Sequence, residues 1–197
     1  MPIPEYHPLA FPTLEPVDIP DAWADADVPR YIDALIDEAT DRARELEEQE
    51  AGGGAFVAGD YRHAYQVLVG LLKAGLVHPG DTWLEWGSGQ GMATVLAAML
   101  GLRATGVELD LDLVREARAL ADRYDAPSAR FIHGSYRPAG PRLPVLTAAN
   151  RSVIYVYPWP GEEPFFLRLF EDTAAPGALL LLTTGPLQIS AFRKKSP

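Results

Sequence analysis

Cysteine is missing from all 197 residues, which excludes disulfides and thiolate metal ligands and fits a cytoplasmic protein. Long apolar runs are missing as well. A stretch such as Ala178 to Leu182 is far shorter than the roughly 20 residues a membrane helix needs. No basic-then-apolar leader opens the chain, so no secretory signal is expected. Basic charge is scarce in residues 1–50, which carry 14 acids against 3 basic residues, while residues 51–197 carry 13 against 14. The net charge of −10 therefore belongs to the N-terminal segment. No basic stripe of the kind that tracks phosphates is visible, which argues against nucleic acid as a partner. Internal repeats are absent too. What is present is an ordinary globular composition, 48% hydrophobic and 22% charged. A chain of this length buries about 70% of its extended surface.

Residues 1–29 hold 7 of the 18 prolines, set among Tyr6, Phe11, Leu14, Val17, Ile19 and Trp23. That density excludes helix and favours an extended course. The interleaved apolar residues favour an arm packed on the domain over a solvated tail. Asp27 is placed to cap a helix starting at Val28-Pro29, whose apolar face holds Ile32, Leu35, Ile36, Ala39, Ala43 and Leu46. Glu38 and Arg42 stand one turn apart and can pair. Gly52-Gly53-Gly54 reads as a joint. Residues 1–54 are accordingly expected to form an acidic arm and helix, and 55–197 the main domain.

From Asp60 a second helix carries Tyr61, Ala64, Tyr65, Leu68, Leu71 and Leu72 on one face, with Gly75 as a C-terminal cap. Strands are expected at Thr82–Trp86, Arg103–Glu108, Ala129–His133, Ser152–Tyr157 and Ala178–Thr184, with helices between them. Leu187–Phe192 is a candidate last strand. Residues 137–151 read as loop, with a short helix near Val145. This alternation predicts a parallel α/β sheet with right-handed crossovers, whose ligands lie beyond the carboxyl ends of the strands. Four stretches then converge on one crevice: Gly87–Gly91, Glu108, Gly134–Tyr136 and Tyr157–Pro160.

The first stretch carries most of the information. Thr82-Trp83-Leu84-Glu85-Trp86 runs into Gly87-Ser88-Gly89-Gln90-Gly91 and then an apolar helix from Met92. Glycines here let a ligand lie on the backbone, and the N–H groups opening the helix favour an anionic group. A dinucleotide fingerprint needs G-x-G-x-x-G/A, where the third small residue lets helix and strand pack closely. Gly87 and Gly89 fit, but Met92 holds the third place and Gly91 comes one residue early.

The E-x-G-x-G-x-G spacing of Glu85, Gly87, Gly89 and Gly91, followed by Glu108, resembles motif I of class I S-adenosylmethionine-dependent methyltransferases over about residues 56–184. The resemblance implies a Rossmann-like three-layer fold, S-adenosyl-L-methionine as cofactor, and a methyl acceptor. Under it Glu85 accepts from the cofactor's amino group. Gly87, Ser88, Gly89 and Gly91 lie against its amino-acid and ribose portions, and Glu108 takes the ribose hydroxyls. Ser135 stands where many members carry an acid for the adenine amino group, so Tyr136 is the alternative adenine contact, by stacking. Read without the family, Glu108 is a helix-capping acid and His133 a packed strand-end residue.

Phe56-Val57-Ala58-Gly59-Asp60-Tyr61 is similar to the lead-in of small protein-lysine methyltransferases, including those acting on the ATP synthase c subunit. There a hydroxyl residue occupies the place of Gly59, and the segment folds over the methionine end of the cofactor. Asp60 reads equally well as the N-cap of its helix. Tyr157-Pro158-Trp159-Pro160 occupies the motif IV position, where Tyr157 and Trp159 are the catalytic-site candidates: an aromatic floor that positions an acceptor and attracts a cation. A rigid aromatic turn without substrate contact is the plainer reading. The acceptor is expected to be a protein lysine or a small molecule. A non-catalytic binding module of the same fold and an NAD(P)-dependent oxidoreductase are the alternatives. Family members follow the fifth strand with another helix and a hairpin, but 13 residues remain after Thr184. The sheet is therefore expected to stop early, or to have its edge covered by the arm or by a second copy of the chain.

Overall fold

The computed structural model describes residues 11–49, 59–137 and 146–196, with side chains from residue 46 to 49 left out. Tyr6, the Gly52–Gly54 joint with its domain boundary, Phe56-Val57-Ala58 and the short helix near Val145 lie outside the described residues. The elements are β1 (Leu14–Val17), a 3-10 turn (Asp21–Asp25), α1 (Arg30–Gln49), α2 (Tyr61–Lys73), β2 (Thr82–Trp86), α3 (Met92–Met99) and β3 (Arg103–Glu108). There follow α4 (Leu111–Arg123), β4 (Ala129–His133), β5 (Val153–Val156), α5 (Glu163–Thr173), β6 (Leu179–Gly185) and β7 (Gln188–Lys194).

One seven-stranded sheet has the order β1-β7-β6-β5-β2-β3-β4. The five strands from β4 to β6 run parallel; β7 is antiparallel to β6, and β1 antiparallel to β7. Side chains alternate between two cores, as a pleated strand dictates. Trp83, Tyr155, Leu179 and Leu181 face the layer of α1 to α4, while Leu84, Trp86, Ile154, Leu180 and Leu182 face α5. Burial on both faces explains why β6 reads as an uninterrupted apolar run.

The C-terminal edge takes a course of its own. No helix separates the fifth parallel strand from a final hairpin; β6 turns at Pro186-Leu187 straight into β7, with Leu187 at φ 54°. The place beside β7 is filled by β1 from the N-terminal arm, in the register Leu14 to Lys194 and Val17 to Ala191. Polar contacts fasten that pairing. Lys194 Nζ donates to Thr13 Oγ1 (2.7 Å), and Thr13 N donates to Glu171 Oε1 (3.0 Å). Trp23 of the arm lies on α2 at Gly70, where a Cβ would come within 2.2 Å of the indole.

Two expected local details differ. Helix α1 starts at Arg30, with the N–H groups of Ile32 and Asp33 on the Pro29 carbonyl and no cap from Asp27. Arg42 does not pair with Glu38: it reaches Glu45 and, across to α4, Glu116 (2.7 Å). Glu38 is held instead by Arg123 and Tyr124 of α4. Packing α1 on α4 offers both side chains partners that an isolated helix lacks. The other cap matches: Gly75 follows α2 at φ 68°.

Candidate functional site

The carboxyl ends of β2, β3, β4 and β5 open onto one cleft of about 690 Å³. Its volume falls within the range of small-ligand pockets, ~300–1,000 Å³. Glu85, Gly87, Ser88, Gly89, Glu108, Ser135, Tyr136, Tyr157 and Trp159 all line it. Asp60 and Gly91 do not.

The glycine turn is held from behind. Gly87 N and Ser88 N both donate to Val107 O (3.0 Å each), so the turn hangs on β3. Gly91 sits at φ 87°, where a Cβ would meet the Phe131 ring at 2.5 Å and Ala117 at 2.7 Å. Its glycine is required by the close approach of α3 to β4 rather than by a ligand. Gly89 N donates to Glu108 Oε2 (2.9 Å), and Leu109 N and Asp110 N donate to Oε1 (2.7 and 3.0 Å). Two carboxylate oxygens offer about four acceptor sites, so three backbone bonds orient Glu108 and leave it able to accept from a ligand hydroxyl. The capping of α4 falls to Asp110, whose side chain accepts from Asp112 N and Leu113 N.

Glu85 is buried, and its Oε2 accepts from Thr94 N (3.0 Å) and Thr94 Oγ1 (2.6 Å). It therefore caps one of the N–H groups opening α3, so that group is satisfied within the protein rather than by an anionic ligand. Burial pushes its carboxyl up to about 8; the Thr94 bonds oppose that shift and Glu108 adds to it. Tyr155 stands directly across from Glu85 in the β2–β5 register, and burial raises its phenol as well. Ser88 Oγ is buried with no partner among the described residues, an orphaned polar group in the wall of the cleft.

Ser135 Oγ accepts from Arg137 N (2.9 Å), which folds the segment after β4 back on itself. Tyr136 packs against Phe166 with centroids 5.1 Å apart, and also against Trp86 at 6.3 Å. Arg137 is ion-paired with Glu162 (3.0 Å) and lies 3.9 Å from the Phe165 centroid. On the far side, Tyr157 is half-buried and Trp159 is 45% exposed. Asp60 is the N-cap of α2, accepting from His63 N (3.0 Å), and its second oxygen takes Leu187 N (3.2 Å). His133 lies outside the cleft lining, with its Nε2 2.9 Å from Leu109 O.

Reading the sequence missed Tyr61, Tyr155, Arg137 and Glu163 as cleft residues. Tyr155 had a usable signal, since it shares a sheet face with Tyr157, two residues on. Tyr61 had one as well, as the last residue of the Phe56–Tyr61 lead-in, although its helical spacing marks it as core.

No family profile matches the chain. A curated relative, the ribosomal protein L11 methyltransferase of Thermus thermophilus, is 34% identical over 99 residues, which is 50% of this chain and 38% of the relative. The chain thus spans well under half the length of that relative. Among solved structures, an RNA methyltransferase from Salinibacter ruber, in complex with S-adenosyl-L-homocysteine, superposes with a TM-score of 0.53 at 20% identity. That match covers 66% of this chain and 92% of the other. The chain has the Rossmann-like fold of the class I methyltransferases. Among the described residues no helix is long and apolar enough to cross a membrane.

Proposed function

We propose that this chain, built on the class I methyltransferase fold, is an S-adenosylmethionine-dependent methyltransferase. The carrying observation is Glu108. Three backbone N–H groups aim its carboxylate beside the glycine turn, where a ribose would lie. The cleft fits the cofactor on its own terms: a buried carboxyl at Glu85 for an ammonium group, an orphaned hydroxyl at Ser88, and aromatic Tyr136 on the side of Ser135. Bound there, the cofactor would supply a methyl group on a sulfonium: an acceptor's lone pair would bond that carbon in line as the carbon–sulfur bond breaks, with neutral S-adenosylhomocysteine as the leaving group.

This chain's residues bind and orient. Glu108 takes a ribose hydroxyl, Glu85 the amino group, and Tyr136 the adenine face. Tyr157 and Trp159 present aromatic surface to the acceptor and exclude water from the reacting atoms. A dinucleotide is disfavoured because the fully buried Met92 stands where the third small residue of that fingerprint would be.

The acceptor we propose is a protein lysine, with a small-molecule amine next. The two relatives are named for a ribosomal protein and for RNA. The charges lining the cleft favour the first kind: Glu108, Glu162 and Glu163 face a single cation among the lining residues, Arg137, which Glu162 already neutralises. A phosphate backbone would meet repulsion there. Titration calorimetry with S-adenosylmethionine and S-adenosylhomocysteine tests the donor, with reduced dinucleotide as control; failure of both to bind would overturn the assignment. Transfer of labelled methyl to lysate protein, but not to RNA, tests the acceptor. Binding without any transfer would support the alternative of a non-catalytic module.

A further inference from the structure

We infer that Gln90 is a positioning residue for the cofactor turn, tying it to helix α1 so that cofactor binding and the packing of that helix are coupled. The inference rests on the donor assignment above and concerns a residue that no motif singles out.

Gln90 sits between Gly89 and Gly91 yet is buried, 4% exposed. Its amide nitrogen donates to the backbone carbonyl of Ala39 (2.7 Å), in the middle of α1, and contacts the Tyr61 hydroxyl (3.4 Å) at the start of α2. Both donors of the NH₂ are thereby engaged, each on a different element. Ala39 belongs to the buried face of α1 with Ile32, Leu35, Ile36 and Ala43, and Tyr61 lines the cleft. The neighbouring Gly89 carries the N–H that holds Glu108. A displacement of α1 is passed through Gln90 to Gly89 and from there to the carboxylate that takes the ribose.

The chemistry of the side chain supports this role over simple filling. A paired amide in a core adds little net stability, whereas an unpaired one is costly. An apolar side chain of the same length would fill the space equally well without fixing the turn to α1. The amide's contribution is one defined geometry between two elements 51 residues apart in sequence. Coupling of this kind is reciprocal: what α1 does for cofactor affinity, cofactor does for α1.

The test uses the full chain with S-adenosylhomocysteine as ligand. In the wild-type protein the ligand should slow amide hydrogen exchange in α1 between Ile36 and Ala43, although that helix does not line the cleft. Gln90→Met keeps the volume and removes both donors. It should raise the calorimetric Kd about tenfold while the thermal midpoint stays within a few degrees. At saturating ligand it should abolish the slowing in α1 but keep it in the turn and β3. Wild-type affinity in Gln90→Met, or α1 protection that survives the substitution, would overturn the inference. So would the absence of any α1 protection in the wild type, a measurement that needs no variant to fold. A wild-type protein that binds no S-adenosylhomocysteine overturns the donor assignment instead.

Discussion

The two halves of the cleft are built by different means. On the side proposed for the donor, Glu85 to Gly91 and Glu108 are fixed by backbone: hydrogen bonds from Gly87, Ser88 and Gly89, a left-handed Gly91 pressed on Phe131, and a capped α3. On the side proposed for the acceptor, Tyr157 to Glu162 present side chains from a proline-rich loop and Glu163 opens α5, with Trp159 45% exposed and Glu163 without an ion-pair partner among the described residues. A site made of backbone tolerates few substitutions and takes one ligand. One made of loop side chains can change its target without disturbing the sheet. The donor half is where the fold and the chemistry are the same thing.

Substitutions should separate the halves, most sharply at Gly91. Gly91→Ala forces a Cβ into Phe131 and Ala117 at a positive φ, and should cost about 3 kcal/mol or more of stability and abolish donor binding, as read by thermal melts and calorimetry. Survival of both would show the turn to be less constrained than its contacts imply. Glu108→Ala should leave the protein folded and weaken donor binding by ~1–3 kcal/mol.

Glu85 should reveal itself through pH. Its carboxyl is raised in the folded protein to about 8, so the unfolded chain gives up the proton first as pH rises. Its contribution to stability is present in full below the ordinary glutamate range and is lost on rising through 8. Melts of the free protein should decline across that window, and Glu85→Gln should flatten the decline. Binding of an ammonium-bearing donor at pH 7 should release close to one proton, measured by calorimetry in buffers of different ionisation enthalpy. A release independent of Glu85 would remove the carboxyl from the donor site. The smallest effect on the donor belongs to the acceptor half. Trp159→Ala should leave donor Kd within about twofold and lower methyl transfer roughly fivefold, the scale of one exposed cation–π contact. Equal losses in both would mean that the halves are not separable.

Much of this was legible in the sequence because the physics is local. Strand and helix periods place β2 to β6, and the alternation of strand and helix brings the glycine turn and Glu108 to one cleft. Gly75 and Asp60 announce the ends of α2 through capping chemistry. What was not legible depends on distant partners. Arg42 looks made for Glu38 until α4 brings Glu116. Gly91 looks like a ligand contact until Phe131 arrives from β4. Glu85 looks wholly free for a ligand until Thr94, at the start of α3, takes one of its two oxygens. Gln90 is silent in the sequence, since an amide between two glycines says nothing of the helix carbonyl that it reaches.

The pairing of β1 with β7 sets an order of assembly. Thr13 and Lys194, bonded across 181 residues, must both exist before the outer part of the sheet can close. β1 has to wait, unpaired, until β7 has been made, and closure over such a distance is slow compared with the local β-α units between them. The parallel centre, with the glycine turn in it, can form while the arm is still searching. During that interval β7 shows its open edge, and the prolines of the arm, poor donors for any other sheet, keep its early strand from finding the wrong one.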